Sequence, residues 1–470
     1  MSKRREAMRW SRETFSDAKL GNTQRTERLV KIGADLAAAA GASPLRAARG
    51  DDAAIEGAYR FFRNDKVKPA AIAEAGFRAT AAQLESIATP VCIEDTTTLS
   101  YTHEVSDELG DVGGPEHATS RGFIVHSVLA LDGETGNTVG LLQQSYWCRE
   151  ATKRGKAKER RERSYEEKES FKWQEASMRV GERLDPEVRS RAISVCDREA
   201  DVYEYMVYKQ AEQQRFVVRA SWDRAVVPRE DDDNASHLWA VLDRAPICGH
   251  ATVAVMQRGG RRGRTAELTV RAAHVRLRRP RRRSAKLPPH LGVNVVMARE
   301  EQPPEGVEPL EWILLTSEPI ETSEQVQQVL RYYRLRWRIE DFHKAWKTGA
   351  GVERRRMQEP DNLQRVAVIL AFVAARLLQL RERLETTPEA PCDEVLTATE
   401  WKVLWVNVEG KRPPRRAPTV RWAYRALGRL AGWNDSKRTG RMGWESFWLG
   451  WRELVNRMEG YRAACLLARR

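Results

Sequence analysis

The residue pattern that most constrains the fold begins near residue 91, where short β-branched and apolar runs replace a helical pattern. Runs of this length and composition predict buried strands. Helical segments separate the later runs, so the sequence predicts an α/β domain. The five runs are residues 91–93, 123–131, 139–142, 193–196 and 216–218.

The segments around these runs predict further parts of the fold. Residues 1–70 show helical periodicity broken by Gly41 and Pro44, and predict an N-terminal helical domain with exposed arginines, to which the family resemblance described below assigns DNA binding. We predict that the α/β domain covers residues 71–380 and contains a long helix from about 323 to 347. Residues from about 240 to 317 predict an all-β insertion, since no long helix separates their strand-like runs. Those runs are residues 251–256, 268–272, 293–297 and 312–315.

Residues 381–470 predict a C-terminal helical domain, to which the family resemblance described below assigns dimerisation. Its first part, 381–419, is rich in Pro, Glu, Thr and Arg and predicts a linker or loop. Tryptophans at the spacing seen here usually lie in a core, which is our first interpretation. A dimer surface is the alternative, because Trp is enriched in interface hot spots. The seven tryptophans are Trp401, Trp405, Trp422, Trp433, Trp444, Trp448 and Trp451.

The composition indicates partners and compartment. A net charge of +14, from 80 Lys and Arg against 66 Asp and Glu, favours a polyanionic partner such as nucleic acid, although many ribosomal or membrane-surface proteins share it. The six cysteines include no Cys-x-x-Cys pair, which argues against a disulfide framework or a zinc knuckle and fits a reducing cytoplasm. The most apolar stretch, 366–375, is too short to span a bilayer, so we expect a soluble protein.

Two acidic residues follow predicted strands. Asp95 comes after the run 91–93, and Asp197 comes directly after the run 193–196. Because strand ends are rigid, both carboxylates could be directed at one point, and carboxylates are the oxygen ligands that Mg²⁺ binds in phosphodiester cleavage. The alternative is that each acid only caps a helix or forms a turn, which is the commoner role of a single acid in this position.

The predicted long helix carries one carboxylate among cations. Tyr333, Arg336, Glu340, Lys344 and Lys347 fall within an arc of roughly 80° at about 100° per residue. This arrangement fits a metal-ligating Glu340 between side chains that bind phosphate. A solvated helix face with i,i+4 pairs such as Glu340 and Lys344 is the alternative.

The stretch 333–351 reads YRLRWRIEDFHKAWKTGAG, with the spacing Tyr-x2-Arg-x3-Glu-x6-Lys. It resembles the signature helix of the insertion-sequence-four family of DDE transposases. The likeness runs from about residue 10 to the end and includes residues 93–97, 120–122, 126–128, 139–142, 195–201, 314–319 and 435–440.

The resemblance implies a fold, an activity and partners. The fold would be a ribonuclease-H-like catalytic core, with a mixed sheet and flanking helices. Asp95, Asp197 and Glu340 would be the catalytic carboxylates and the ligands of two Mg²⁺ ions, for which Mn²⁺ may substitute. The activity would be cut-and-paste transposition through a hairpin intermediate. The partners would be double-stranded DNA, as transposon-end inverted repeats and target DNA, and a second subunit in a homodimer.

The resemblance also implies DNA contacts. The family's tyrosine, arginine and lysine fall on Tyr333, Arg336 and Lys347, and its base-stacking tryptophan falls on Trp312, for which a core position is the alternative. We further expect phosphate binding by Lys344 on the basic helix face. Terminal DNA contacts carry over to Arg28, Arg60, Arg356 and Asn362, and more weakly to Arg219, although a surface arginine is more often only solvated.

Some residues depart from the family pattern. The basic runs 153–163 and 276–283 could add phosphate contacts, although solvation is the default interpretation. Gln358 and Ser221 replace a glutamate and a lysine, so we expect different end recognition. Two other functions remain open: a ribonuclease-H-like nuclease that cuts without joining, and a DNA-binding protein with an inactive site.

Overall fold

A computed structural model of the chain describes residues 3–39, 41–48, 51–113, 120–149, 163–228, 236–255, 263–281, 286–434, 436 and 442–468. The N-terminal region is helical in these residues. Helices α2 and α4 begin after Asn22 and Asp51, whose side chains accept hydrogen bonds from the backbone N–H groups of Arg25 and Ala54. The helices are α1 (Lys3–Phe15), α2 (Thr23–Ala38), α3 (Pro44–Ala47), α4 (Asp52–Phe62) and α5 (Pro69–Gln83).

A mixed sheet of ten strands follows, in the order β2-β3-β1-β5-β6-β10-β9-β8-β7, with β4 pairing β3 outside this path. Strand β1 pairs with β5, and β5 with β6, in parallel; the other pairs are antiparallel. The strands are β1 (Pro90–Tyr101), β2 (Gly110–Asp111), β3 (Arg121–Asp132), β4 (Thr138–Trp147), β5 (Ile193–Cys196), β6 (Arg215–Arg219), β7 (Ile247–Val255), β8 (Arg264–Arg278), β9 (His290–Arg299) and β10 (Glu311–Thr316).

The sheet is covered on both faces. Val195 of β5 belongs to the core beneath the helices that follow β10, whereas its neighbour Cys196 belongs to the core on the opposite face. This alternation follows from the period of two along a strand. Helices α6 (Lys172–Arg183), α7 (Pro186–Arg191), α8 (Tyr203–Ala211) and α9 (Leu238–Arg244) lie between β4 and β7 in the chain.

The strands predicted as an all-β insertion are present, but they extend the main sheet instead of forming a separate one. Strand β10 pairs antiparallel with β6, with Leu315 opposite Val218. Strands β9, β8 and β7 then continue the sheet outward. An unpaired edge of β6 would leave buried backbone groups without partners, and β10 provides those hydrogen bonds.

The predicted long helix is two helices, α10 (Ser323–Leu335) and α11 (Arg338–Lys344), followed by a π-helical turn, Ala345–Gly349. A capping box formed by Thr322 and Gln325 starts α10. The N–H of Arg336 bonds the carbonyl of Tyr333, three residues back instead of four, so the α-helical ladder is interrupted there. Our expectation of one continuous helix was wrong at this junction.

Helix α12 (Pro360–Thr386) passes through the core. It is the one helix in the described part of the chain that is long and apolar enough to suit a membrane span, with a mean hydropathy of 1.7 over its best window. Because 83% of that window is buried against other elements, this is also what a core helix of a globular fold shows.

The C-terminal helices are α13 (Ala398–Glu409), α14 (Val420–Leu430) and α15 (Trp444–Leu467). The predicted linker at 381–419 was therefore wrong over the end of α12 and over α13. Trp401, Trp444, Trp448 and Trp451 are buried and the other three tryptophans are half-buried, as the core interpretation predicted. Of the basic runs, residues 153–162 and 282–283 lie outside the described residues.

Candidate active site

Asp95 and Asp197 lie level with each other on neighbouring parallel strands. The pairing of β1 with β5 places Ile93 opposite Val195, and each aspartate comes two residues later. We had predicted that Asp95 ends its strand, and this was wrong. Strand β1 continues past Asp95 to Tyr101, paired with β3. The pairing of β1 with β5 ends at Ile93, so the two strands are no longer paired beside Asp95.

Backbone N–H groups orient both carboxylates. The N–H of Thr96 donates to Oδ1 of Asp95 at 2.7 Å. The N–H of Glu199 donates to Oδ1 of Asp197 at 2.9 Å, so Asp197 caps the short 3-10 helix Arg198–Ala200. The capping role considered as the alternative for Asp197 is therefore real. It leaves Oδ2 of Asp197 available for another partner.

Glu340 approaches the two aspartates from α11, which packs against β1. Its Oε1 lies 3.6 Å from Nη2 of Arg336, four residues earlier. Arg336 is the C-cap of α10, so the interruption of the helix ladder lies at the cation that faces the carboxylates. The three acids come from three separate elements and lie near enough for the charges of Asp197 and Glu340 to act on Asp95.

Within this group of three carboxylates and Arg336, neighbouring charges act on the pKa values of Asp95 and Arg336. Burial and then the negative charge of Asp197 raise the pKa of Asp95 to about 6, and Glu340 adds to this rise. Arg336 acts in the opposite direction and favours ionised Asp95. Burial opposes the charge of Arg336 itself, yet Tyr333 and the three carboxylates keep its pKa above the ordinary value. The site is therefore an excess of buried negative charge that one guanidinium partly neutralises.

The donor set fits divalent metal ions. In the described part of the chain, no three His, Cys, Asp or Glu side chains already stand close enough together to ligate one ion, and this includes the three acids. Three like charges repel, and Glu340 is turned towards Arg336. A cation would reverse that repulsion, and hard carboxylate oxygens are the ligands that Mg²⁺ and Mn²⁺ prefer.

Aromatic and basic side chains border the acids. The half-buried indole of Trp312 meets the ring of buried Tyr333 edge to face at 5.3 Å. Arg336 lies over the rings of Tyr333 and exposed Trp337, at 5.8 and 5.5 Å from the centroids. Nη2 of Arg219 donates to the carbonyl of Glu311 at 2.6 Å, which places this arginine beside Trp312.

The two lysines predicted on the helix face have different surroundings. Nζ of Lys347 lies 3.9 Å from Oε1 of Glu353, which accepts a hydrogen bond from the N–H of Ser100 in β1. Burial lowers the pKa of Lys347. Lys344 is exposed. Lys347 is thus held near the strand that carries Asp95, and Lys344 faces solvent.

The remaining predicted DNA contacts lie away from the acids. The guanidinium of Arg28 lies against α4, where a Cβ on Gly57 would be 2.5 Å from its Cζ. Arg60, one turn further along α4, is exposed and pairs with Glu56 at 2.7 Å. Arg356 is exposed. Asn362 is buried, and its Oδ1 accepts a hydrogen bond from Arg365.

The structure adds residues that our sequence reasoning did not single out. Glu94 and His126 are both buried, with His126 Nε2 3.4 Å from Glu94 Oε2 and His126 Nδ1 3.0 Å from Thr96 Oγ1. Glu94 and Thr96 flank Asp95, so this chain of contacts lies directly behind it. The position of Trp337 beside Arg336 was visible in the sequence, but its exposure was not.

The mixed sheet with flanking helices and clustered acids is consistent with a ribonuclease-H-like DDE domain. Two family models match the chain: "Transposase DNA-binding" over residues 7–67, and "Transposase DDE domain" over residues 137–376, just over half of the chain. The chain therefore belongs to the DDE transposase family. It is a DDE-type transposase enzyme that binds DNA, and DDE domains use divalent metal ions. The DDE match includes Asp197 and Glu340, whereas Asp95 lies before it.

Proposed function

We propose that this enzyme is a cut-and-paste transposase of the insertion-sequence-four family, similar to the transposase of transposon Tn-five. It would bind transposon-end inverted repeats, excise the element through hairpin-ended DNA and join the 3′ ends to target DNA. The observation that carries this proposal is the level position of Asp95 and Asp197 on neighbouring strands, with Glu340 facing them. The signature stretch 333–351 supports the family assignment.

Asp95, Asp197 and Glu340 would hold two Mg²⁺ ions, with Mn²⁺ as a possible replacement. When bound, these ions lower the pKa of the attacking water and neutralise charge on the leaving oxygen. Arg336 would turn from Glu340 to the phosphate, since a guanidinium binds phosphate oxygens in pairs. Tyr333 supports Arg336 through its ring.

The proposed reaction has four displacements at phosphorus, all at this one site. A water-derived hydroxide first breaks one P–O3′ bond at the transposon end and leaves a 3′ hydroxyl. That hydroxyl attacks the opposite strand, which forms the hairpin and releases the flanking DNA. A second water opens the hairpin, and the 3′ hydroxyl finally attacks target DNA. The two attacks by water hydrolyse a phosphodiester to a 5′ phosphate and a 3′ hydroxyl, and the two attacks by the 3′ hydroxyl exchange one phosphodiester for another. Each step breaks one P–O bond as another forms, so positioning of the nucleophile is the main task of the protein.

The surrounding residues would position the DNA. A hairpin bends the backbone sharply, and a base stacked on Trp312 would relieve the strain. Lys344, Lys347 and Arg219 would bind phosphates around the cleaved bond. Arg28 and Arg60 in the N-terminal domain, residues 1–70, together with Arg356 and Asn362, would contact the terminal repeat.

We also propose a homodimer that pairs two transposon ends in the cytoplasm, in association with the nucleoid. The domain division 1–70, 71–380, with an insertion at about 240–317, and 381–470 would then separate DNA binding, catalysis and dimerisation. The tryptophans are mostly internal, so the contact would use the last turns of α15. Tyr461, Leu466 and Leu467 are exposed there, the two leucines at 70%.

The direct test uses DNA that carries the element's own terminal repeats, read from the sequence flanking the coding region. In Mg²⁺ the wild type should produce nicked, hairpin-ended and joined DNA. Asp95→Asn, Asp197→Asn and Glu340→Gln should each lower the cleavage rate by at least about 1,000-fold and leave DNA affinity within about threefold. Glu134→Gln, at an exposed position in the turn between β3 and β4, is the matched carboxylate control.

The same assay separates the other functions. Cleavage without hairpins or joined products would indicate a nuclease and would exclude transposition. Binding without any cleavage in Mg²⁺ or Mn²⁺ would indicate a DNA-binding protein with an inactive site. Full cleavage by any one of the three variants would exclude our assignment of the triad.

A further inference from the structure

Among the large apolar side chains that are exposed in the described part of the chain, two are tryptophans, and both lie beside the acidic site. Trp337 adjoins Arg336 and belongs to the site already described. Trp222 lies in the loop after β6, and 65% of its surface is exposed. Stacking of a flat ring on a solvent-exposed indole lowers the free energy. An exposed indole beside a functional site therefore indicates a stacking partner.

The backbone at Trp222 is held firmly. Asp201, whose carboxylate is fully buried, accepts hydrogen bonds at Oδ2 from the N–H of Ser221 at 2.7 Å and of Trp222 at 3.1 Å. Its Oδ1 accepts from Nε of Arg224 at 2.8 Å. The loop is therefore fixed before any ligand arrives, which lowers the entropy cost of binding on it.

The same anchor places Trp222 next to Asp197. Asp197 begins the short helix Arg198–Ala200, and Asp201 is the residue after that helix. Ser221 Oγ donates to the carbonyl of Arg198 at 2.7 Å, which ties the loop to the first residue of the helix. The exposed indole thus stands on the turn that starts with a carboxylate of the site.

Arg198 supplies a cation at this place. Its side chain is exposed, and within the described residues its guanidinium forms no ion pair. It lies close enough to Arg219 to help lower the pKa of that arginine, for which burial is the larger cause. An aromatic ring next to an unpaired guanidinium is the combination that binds a base together with its phosphate.

The chain segments that carry Trp222 and Trp312 pack against different faces of the sheet. Trp312 and Tyr333 pack with the core beneath α10 and α11. Ala220 and Val226, on either side of Trp222 in the chain, pack in the core on the other face of the sheet. Trp222 and Trp312 are therefore two separate aromatic surfaces near the carboxylates.

We propose that Trp222 stacks on an unpaired base of the substrate DNA, at a position separate from Trp312, while Arg198 binds the adjacent phosphate. This inference rests on the proposed function and adds a second base-binding position to it. A paired base inside a duplex has no free face, so the ligand is a nucleotide that has left the helix or ends it. One base stacked on Trp222 and another on Trp312 would then hold the duplex open near the cleaved bond.

The test places 2-aminopurine, in turn, at each of the terminal positions of a duplex that ends in the element's terminal repeat. Fluorescence is followed on protein binding in EDTA, so that no cleavage occurs. Wild type and Trp222→Phe should quench one position that Trp222→Ala does not. Trp312→Ala should lose quenching at a different position, which makes it the matched control for a stacking tryptophan.

Affinity provides a second readout. For a duplex with a short single-stranded end, Trp222→Ala should bind about 5- to 100-fold more weakly, the effect of one lost base stack. For the fully paired duplex the change should stay below about twofold. Arg198→Ala should reduce the slope of log affinity against log salt by about one for the tailed DNA.

The outcomes separate the two proposals. Identical quenching maps and affinities for wild type and Trp222→Ala would overturn the stacking role, even while the enzyme still forms hairpins. Failure of the wild type to bind repeat DNA at all would overturn the proposed function as well. Thermal unfolding of each variant would confirm that the substitution at an exposed side chain leaves the fold intact.

Discussion

Nη1 of Arg365, in the core helix α12, donates a hydrogen bond to the carbonyl oxygen of Phe62 at 2.8 Å and so joins the catalytic region to the N-terminal helices. Its Nε donates to the carbonyl of Val67 at 2.6 Å, and the side chain is fully buried. Phe62 and Val67 stand at the end of the matched DNA-binding region, residues 7–67. This buried guanidinium is therefore one of the contacts that hold the DNA-binding region against the catalytic region.

We predict that Arg365→Ala lowers the free energy of unfolding by about 3–5 kcal/mol, because two buried carbonyl oxygens lose their donors. It should also expose the segment between α4 and α5 to proteases. Denaturant unfolding and limited proteolysis measure both effects. Arg331→Ala, at an exposed position of α10, should change stability by less than about 0.5 kcal/mol. Equal effects of the two substitutions would show that the buried contacts do not join the regions.

A second prediction concerns the pair behind Asp95. His126→Leu leaves the buried carboxylate of Glu94 without its imidazole partner and should cost about 3 kcal/mol of stability. The double variant Glu94→Leu/His126→Leu removes both polar groups and should recover part of that loss. Lys209, which lies near Glu94, keeps hydrogen bonds to Ser194 and Gln214.

The two variants should also differ from wild type in catalysis. Glu94 and Thr96 hold the part of β1 that carries Asp95, so both variants should cleave more slowly at unchanged DNA affinity. Unfolding midpoints and single-turnover cleavage rates test this. If the double variant is no more stable than the single one, the pair does not act as a unit.

The third prediction is a pH dependence of stability. Burial, and then the charge of Lys347, lower the pKa of His343 to about 3. In the unfolded chain this imidazole titrates near 6.5, so between about pH 6.5 and pH 3 the unfolded state binds a proton that the folded state does not. Stability attributable to His343 is therefore complete above about pH 6.5 and is lost as the pH falls.

His343→Leu should remove this acid sensitivity. When the pH falls from 8 to 4.5, the free energy of unfolding of the wild type should decrease by roughly 2–3 kcal/mol more than that of the variant, measured by urea unfolding. Among the residues that the structure describes, the Nε2 atom of His343 has no hydrogen-bond partner, so little else is lost with the ring. His290→Leu, at an exposed site in β9, is the control and should leave the pH profile unchanged. Parallel pH profiles for wild type and His343→Leu would contradict the prediction.

The local sequence determines much of this fold, because buried strands are continuous apolar runs. Strand β5, Ile193–Cys196, has the bounds that its sequence predicts. For β1 the sequence could not reveal that pairing stops at Ile93 on one side and continues to Tyr101 on the other. Such differences depend on which strand lies on each side, and a local pattern does not contain that information.

Tertiary contacts explain the largest error. The polar end of α12 suggested a linker, yet the carboxylate of Glu382 accepts two hydrogen bonds from Thr138, from its N–H and its hydroxyl, each at 2.7 Å. Arg381 pairs with Glu385 and stacks over the ring of Trp444 at 3.7 Å. These partners stabilise charged residues in the core, and none of them is near in sequence except Glu385.

The candidate site divides in the same way. Asp95, Asp197 and Glu340 could be singled out as candidates, because each lies in a stretch that resembles the family's motifs, and their catalytic role is our proposal. Trp222 could not, because its neighbours are polar and show no period. Its presentation depends on Asp201, a residue 21 positions earlier that contacts it only in the folded chain.

The last prediction concerns the proposed pairing of ends. If each transposon end is held by one subunit and cut by the other, double-end cleavage needs two active subunits. Equal amounts of wild type and Asp95→Ala, mixed and allowed to exchange, should then give double-end cleavage at about one quarter of the wild-type level, with single-end products accumulating. Gel analysis of DNA that carries both ends measures the two products. The control mixture replaces Asp95→Ala with Glu134→Gln, an exposed position away from the triad, which should leave double-end cleavage at the wild-type level. Double-end cleavage that stays complete at every mixing ratio would show that one subunit cuts both ends.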